Sequence, residues 1–276
     1  MKFKQLLESK EYPFSGTPVI AFLGDSVTHG AFECTDGGNG CVFDFAAVYH
    51  NRLRLIISQK YDWVPVSIIN AGVAGDTAAG GLQRLERDVI SRRPNLCVVC
   101  YGLNDVNGEI KTYTDALKSI FTQLQKADVE VLFMTPNMLN TRVADTVMPE
   151  LTVYAEVTAG IQNSGKMDAF MQAARDVAFE CGVAVADGYA LWKQMQANGM
   201  DVTELLANGI NHPCREMHGM FAELLYETIF GAISTMPEPE SVPAPEPAPE
   251  EGDEITPLEF EAQEQEGQTH HTDYLS

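Results

Sequence analysis

Short apolar runs recur along the chain, and each is followed by a longer segment whose apolar residues fall at helical spacing. The runs at 19–23, 66–69, 96–101, 130–134 and 183–186 predict five strands. The third is almost continuously apolar, the pattern of a strand covered on both faces. Segments 43–60, 77–92, 113–126, 166–181 and 215–233 predict helices; the first carries Phe45, Val48, Leu53, Leu55 and Ile56, and Pro94 stops the second. This alternation implies right-handed βαβ units and an α/β fold, a three-layer α/β/α sandwich around a five-stranded parallel sheet. Ligands of such sheets bind outside the carboxyl ends of the strands, so the residues that follow each strand are the informative ones. Residues 141–165 fit no element and are expected to form a lid or rim. The glycine-rich stretch 31–40, with Gly37, Gly38 and Gly40, reads as a mobile loop beside the site.

The pattern stops at Met236. From there to Ser276 the chain has 12 Asp/Glu, no Lys or Arg, and 7 of its 14 prolines. Such a segment cannot bury enough apolar surface to offset its ordering entropy. The expected organisation is one domain at 1–235 and a disordered acidic tail at 236–276. The net charge of −21 divides accordingly, with 27 acids against 18 bases, a net −9, in the domain. A negative field of this kind excludes broad binding to phosphate backbones, so no nucleic-acid partner is expected. No run approaches the roughly 18–20 apolar residues that span a bilayer, and charges interrupt the first 14 residues where a signal peptide needs an apolar core. No membrane partner is expected, and the compartment is read as cytoplasmic. The six cysteines read as reduced thiols; Cys97 and Cys100 lie in the third strand run and read as core.

Four turns carry candidate chemistry. Gly24-Asp25-Ser26-Val27-Thr28 follows the first strand and puts a serine at a strand-to-helix turn, as N-cap or as nucleophile. Asn70-Ala-Gly-Val-Ala-Gly75-Asp76-Thr77 follows the second, and Gly102-Leu103-Asn104-Asp105 the third. Asn208-Gly-Ile-Asn211-His212-Pro213 precedes the last helix. A serine, backbone and carboxamide donors, and a late histidine together form an acyl-transfer set. His218 is the second candidate base, expected on the surface or in a capping position. His29 reads as a rim residue and His50 as structural, while His270 and His271 fall in the tail.

These blocks, in this order, resemble the SGNH (GDSL-type) hydrolases over about residues 17–233. The resemblance implies a flavodoxin-like SGNH hydrolase fold and carboxylic-ester hydrolysis without metal or cofactor. It makes Ser26 the nucleophile, His212 the general base, and the Ser26 N–H, Gly75 N–H and Asn104 side chain the oxyanion hole. The implied partner is a small-molecule ester, with an O-acetylated sugar favoured because the rim at 31–40 looks polar. The departure is at the acid: the family's D-x-x-H block would place aspartate at position 209, which is Gly209. Three readings remain open. A Ser–His dyad could be oriented by a backbone carbonyl or by Asn208 or Asn211; an acid could come from Asp201 or Glu204; or the enzyme could be weak. The reading from another class is a non-catalytic ester- or carbohydrate-binding module.

Overall fold

A computed structural model of the chain describes residues 1–9, 16–61 and 64–231. The tail expected at 236–276 lies outside the described residues. Five parallel strands form the central sheet: β1 (Val19–Gly24), β4 (Ser67–Gly72), β5 (Leu96–Cys100), β6 (Glu130–Thr135) and β7 (Ala184–Asp187). Their spatial order is β4-β1-β5-β6-β7. The strand order therefore reverses between β1 and β5, and in sheets of this kind the crevice at such a switch point is where ligands bind. Helices α3 (Tyr49–Lys60) and α9 (Arg215–Phe230) pack together on one face; α4 (Ala78–Asp88), α5 (Ile110–Lys126) and α7 (Lys166–Glu180) cover the other. Every residue of β5 is buried, which accounts for its unbroken apolar run and places Cys97 and Cys100 in the core. Among the described residues no helix is long and apolar enough to cross a membrane.

Three features differ from the expectations. Residues 31–40 form most of a β-hairpin, β2 (Ala31–Thr35) and β3 (Gly40–Phe43), joined by a single 3-10 turn. The helix expected from 43 begins only at Tyr49, because the Asp44 carboxylate accepts the Ala47 N–H at 3.0 Å and closes a separate turn. Residues 141–165 contain helix α6 (Thr152–Asn163). Its buried side is Ala155, Thr158, Ala159 and Gln162, while Val153 is 71% and Val157 51% exposed. The two valines thus face outward while alanines and polar side chains fill the buried side, so the hydrophobic period gives no clear helical signal. Short helices α1 (Lys2–Ser9), α2 (Ser26–His29) and α8 (Gly188–Ala197) complete the structure.

Candidate active site

The ends of β1, β4 and β5 converge on one network. β1 closes on Gly24, where a Cβ would lie 2.7 Å from the Cys100 carbonyl and closer still to Thr28 Oγ1. Only glycine lets the turn fold back so tightly. Asp25 caps the short helix α2, its Oδ1 accepting the Val27 N–H at 3.0 Å, and Ser26 becomes that helix's first residue. Arg84 in α4 binds beneath the turn. Its guanidinium donates to the Gly24 carbonyl at 3.1 Å, the Ala71 carbonyl at 2.7 Å, Tyr101 Oη at 2.8 Å and the Asp76 carboxylate at 2.8 Å. One planar, five-donor cation therefore ties two strand ends to the loop after β4. Sequence reasoning missed Arg84, because a helical arginine in an amphipathic pattern reads as solvated.

Gly75 adopts φ +77°, a left-handed backbone that favours glycine. The Asn104 side chain donates to the Asp76 carbonyl at 2.8 Å, fixing the carboxamide against the same loop. Asp105 Oδ1 accepts the Ala78 N–H at 2.9 Å and so starts α4. Asn70 accepts the Gly72 N–H and donates to the His29 carbonyl.

His212 reaches this crevice from the loop before α9. Asn208 Oδ1 accepts the N–H groups of Ile210, Asn211 and His212 at 2.9–3.0 Å, and its Nδ2 donates to Asn211 Oδ1 at 2.9 Å. Asn208 thus shapes the backbone loop, and Asn211 completes that bond; the imidazole is held by another group. Its Nδ1 lies 2.8 Å from the Phe32 carbonyl in β2, and its Nε2 lies 2.9 Å from Ser26 Oγ. A carbonyl oxygen only accepts, so Nδ1 carries the proton and the Nε2 lone pair faces the serine hydroxyl. Burial lowers the His212 pKa below its usual value, opposed by the Phe32 carbonyl and by the charge of Glu33. Glu33 is held in a fork by Arg215, at 2.6 and 3.2 Å.

Position 209 explains the departure at the acid. Gly209 has φ +66°, and a Cβ there would lie 2.9 Å from Val147 Cγ2, so the loop's path disfavours any side chain. Asp201 and Glu204 both pair with Arg142 on the surface and do not bond the imidazole. The ring's orienting group is a main-chain carbonyl, which no residue type announces in a sequence.

The other described histidines are engaged elsewhere, and His270 and His271 lie outside the described residues. His218 is fully buried rather than on the surface; its Nδ1 accepts the Tyr49 N–H at 3.1 Å, and burial pushes its pKa down to about 3. His50 Nε2 donates to the Thr28 carbonyl at 3.1 Å, and burial lowers its pKa to about 4. His29 is part-buried against Phe43, with ring centroids 4.6 Å apart. The buried carboxyls Asp25 and Asp105 are raised to about 7 and about 6, chiefly by desolvation.

Residues 22–219 match the model of the GDSL-like Lipase/Acylhydrolase family. A curated acetylxylan esterase of Geobacillus stearothermophilus is 21% identical over 154 residues, which cover 51% of this chain and 70% of that protein. The crystal structure of Axe2, an acetylxylan esterase from Geobacillus stearothermophilus, superposes with a TM-score of 0.58 at 19% identity, covering 77% of this chain and 94% of that one. An α/β hydrolase from the metagenome of Lake Arreo, LAE5, superposes at 0.60 with 18% identity, covering 79% and 97%. At these identities the structural likeness concerns the fold.

Proposed function

The chain belongs to the GDSL-like lipase/acylhydrolase family and is a carboxylic ester hydrolase; on that premise we propose that Ser26 and His212 act as a dyad that removes small acyl groups. The observation that carries the reading is the 2.9 Å approach of His212 Nε2 to Ser26 Oγ, with Nδ1–H anchored on the Phe32 carbonyl. In the forward step Ser26 Oγ attacks the ester carbonyl carbon while Nε2 takes the hydroxyl proton. Negative charge develops on the carbonyl oxygen, and in this reading the Ser26 N–H, the Gly75 N–H and the Asn104 carboxamide donate to it, Asn104 giving up its bond to the Asp76 carbonyl. Nε2 then returns the proton to the departing alcohol, leaving an acyl group on Ser26. Water repeats the sequence with His212 again as base and releases the carboxylic acid.

The carbonyl replaces the usual carboxylate beneath the histidine. It holds the tautomer equally well but offers a dipole in place of a full charge, so the imidazolium formed in the transition state is less stabilised. The substrate reading is an O-acetyl ester on a carbohydrate, supported by relatives named as acetylxylan esterases. The six free cysteines are consistent with a reducing compartment, the cytosol. The test is hydrolysis of p-nitrophenyl acetate by the wild type and Ser26→Ala, followed by acetylated xylo-oligosaccharides against esters of increasing acyl length. Turnover that needs Ser26 and falls with chain length supports the reading. A wild type no faster than the uncatalysed reaction would instead favour the binding-module alternative.

A further inference from the structure

The β2–β3 hairpin carries two cysteines that ester hydrolysis leaves unused, and they stand beside His212. Cys34 and Cys41 are cross-strand partners, both half-buried. Their sulfurs and a ring nitrogen of His212 all lie within 4.8 Å of one another. Two thiolates and a neutral imidazole are the donor set of a borderline-soft divalent cation, above all Zn²⁺. At Zn–S and Zn–N lengths of about 2.3 and 2.0 Å, tetrahedral corners lie roughly 3.5–3.8 Å apart, so the three groups need close by only about 1 Å.

The supporting contacts suit ligation. Ligating histidines ordinarily donate their other ring N–H to a carbonyl or carboxylate, which fixes the tautomer. His212 already does so through Nδ1 to the Phe32 carbonyl, leaving Nε2 as the donor atom. Asn208 Nδ2 lies 3.7 Å from Cys34 Sγ and donates to it, a contact that favours the thiolate. Nε2 directs its lone pair at Ser26 Oγ, 2.9 Å away, so a cation bound there at about 2.0 Å displaces the hydroxyl or takes it as the fourth ligand.

We propose that Cys34, Cys41 and His212 form an inhibitory site for a thiophilic divalent cation such as Zn²⁺. On binding, the two thiols release their protons to solvent and the cation gives up waters of hydration. The cation occupies the Nε2 lone pair, so Ser26 loses its proton acceptor. Coordination stands on the three side chains alone, whereas inhibition rests on the reading of His212 as the base.

The experiment uses the reduced, metal-free full chain titrated with Co²⁺, which reports thiolate ligation by a near-ultraviolet charge-transfer band and tetrahedral geometry by its visible bands. Wild type should bind a single Co²⁺ with both signatures, and Zn²⁺ should displace it. Saturating Zn²⁺ should slow p-nitrophenyl acetate turnover by about 100-fold or more, reversed by chelation, because a general base contributes at least that much. Cys34→Ser/Cys41→Ser should lose the charge-transfer band and the Zn²⁺ sensitivity while keeping metal-free turnover. Cys41→Ser alone should weaken both, which guards against misfolding of the double variant. His212→Ala should lower Co²⁺ affinity by about tenfold or more. The proposal is overturned by the absence of a thiolate band in wild type, by a band or Zn²⁺ sensitivity that survives in the double variant, or by unchanged affinity in His212→Ala. A thiolate band that follows these variants in a protein without metal-free turnover would uphold the coordination and refute the hydrolytic reading instead.

Discussion

The two ends of the central sheet are built by opposite rules. At the amino end, polar groups are paired off. Asn95 Oδ1 accepts the Val19 N–H at 2.8 Å, and the Glu130 carboxylate accepts the N–H groups of Lys2 and Phe3 at 2.9 and 2.7 Å, capping α1. At the carboxyl end, buried polar atoms are left over. Among the described residues Asp25 Oδ2, His29 Nδ1, Asp105 Oδ2 and Asn137 Oδ1 have no hydrogen-bond partner, and all lie in the segments that follow β1, β5 or β6. Two carboxyls there are raised by desolvation. One end therefore contributes to stability, and the other holds polar groups at a cost that folding alone does not justify.

Substitutions at the two ends should separate activity from stability. The largest effect is expected at Ser26→Ala, with kcat on p-nitrophenyl acetate falling roughly 10⁴–10⁶-fold and unfolding little changed. Asn104→Ala should lower kcat by roughly 10²–10³ with KM nearly constant, since the carboxamide acts on charge that develops only in the transition state. Equal loss in KM would move Asn104 from transition-state stabilisation to substrate binding.

The third prediction concerns Asp25. Its pKa rises from 3.8 to about 7 on folding, so the folded state binds more protons than the unfolded one between those values. Its contribution to stability is full below about pH 4 and is lost as pH rises to 7, by up to about 4 kcal/mol. Asp25→Asn keeps an oxygen for the Val27 N–H and should remove this slope, gaining on wild type as pH rises. Urea unfolding at pH 4.5 and 7.5 measures it, and parallel curves would refute it.

A related measurement is the acid limb of kcat/KM. Burial lowers the His212 pKa, so half-maximal activity should fall below pH 6.5. The smallest effect belongs to the opposite end: Asn95→Ala should cost about 1 kcal/mol of stability, from one lost hydrogen bond, and leave turnover alone. A drop in turnover there would show that the two ends are coupled.

The sheet was legible because burial on both faces leaves a simple signature, as in the unbroken run of β5. The turns at Ser26, Gly75 and Asn104 were legible because fixed spacing after strands is a sequence property. Helix α6 was hidden because Ala155, Thr158 and Gln162 form its buried side. The hairpin was hidden by its glycines, and with it the meeting of Cys34 and Cys41. The hold on His212 was hidden for a deeper reason. It depends on the path of the Phe32 backbone, while Glu33 and Arg215 act around it as a charge pair.

That carbonyl gives the molecule an unusual mutational profile. Every residue type carries the same main-chain oxygen, so codon changes at position 32 cannot delete the group that orients the histidine. Insertions and deletions can, because one residue gained or lost in the hairpin would shift the oxygen away from Nδ1 and turn alternate side chains to the other face. Substitutions at the fully buried Phe32 should therefore register as lost stability with the His212 tautomer still held, whereas length variants of β2 should lose the hold itself. The constraint on the orienting group itself falls on spacing rather than identity.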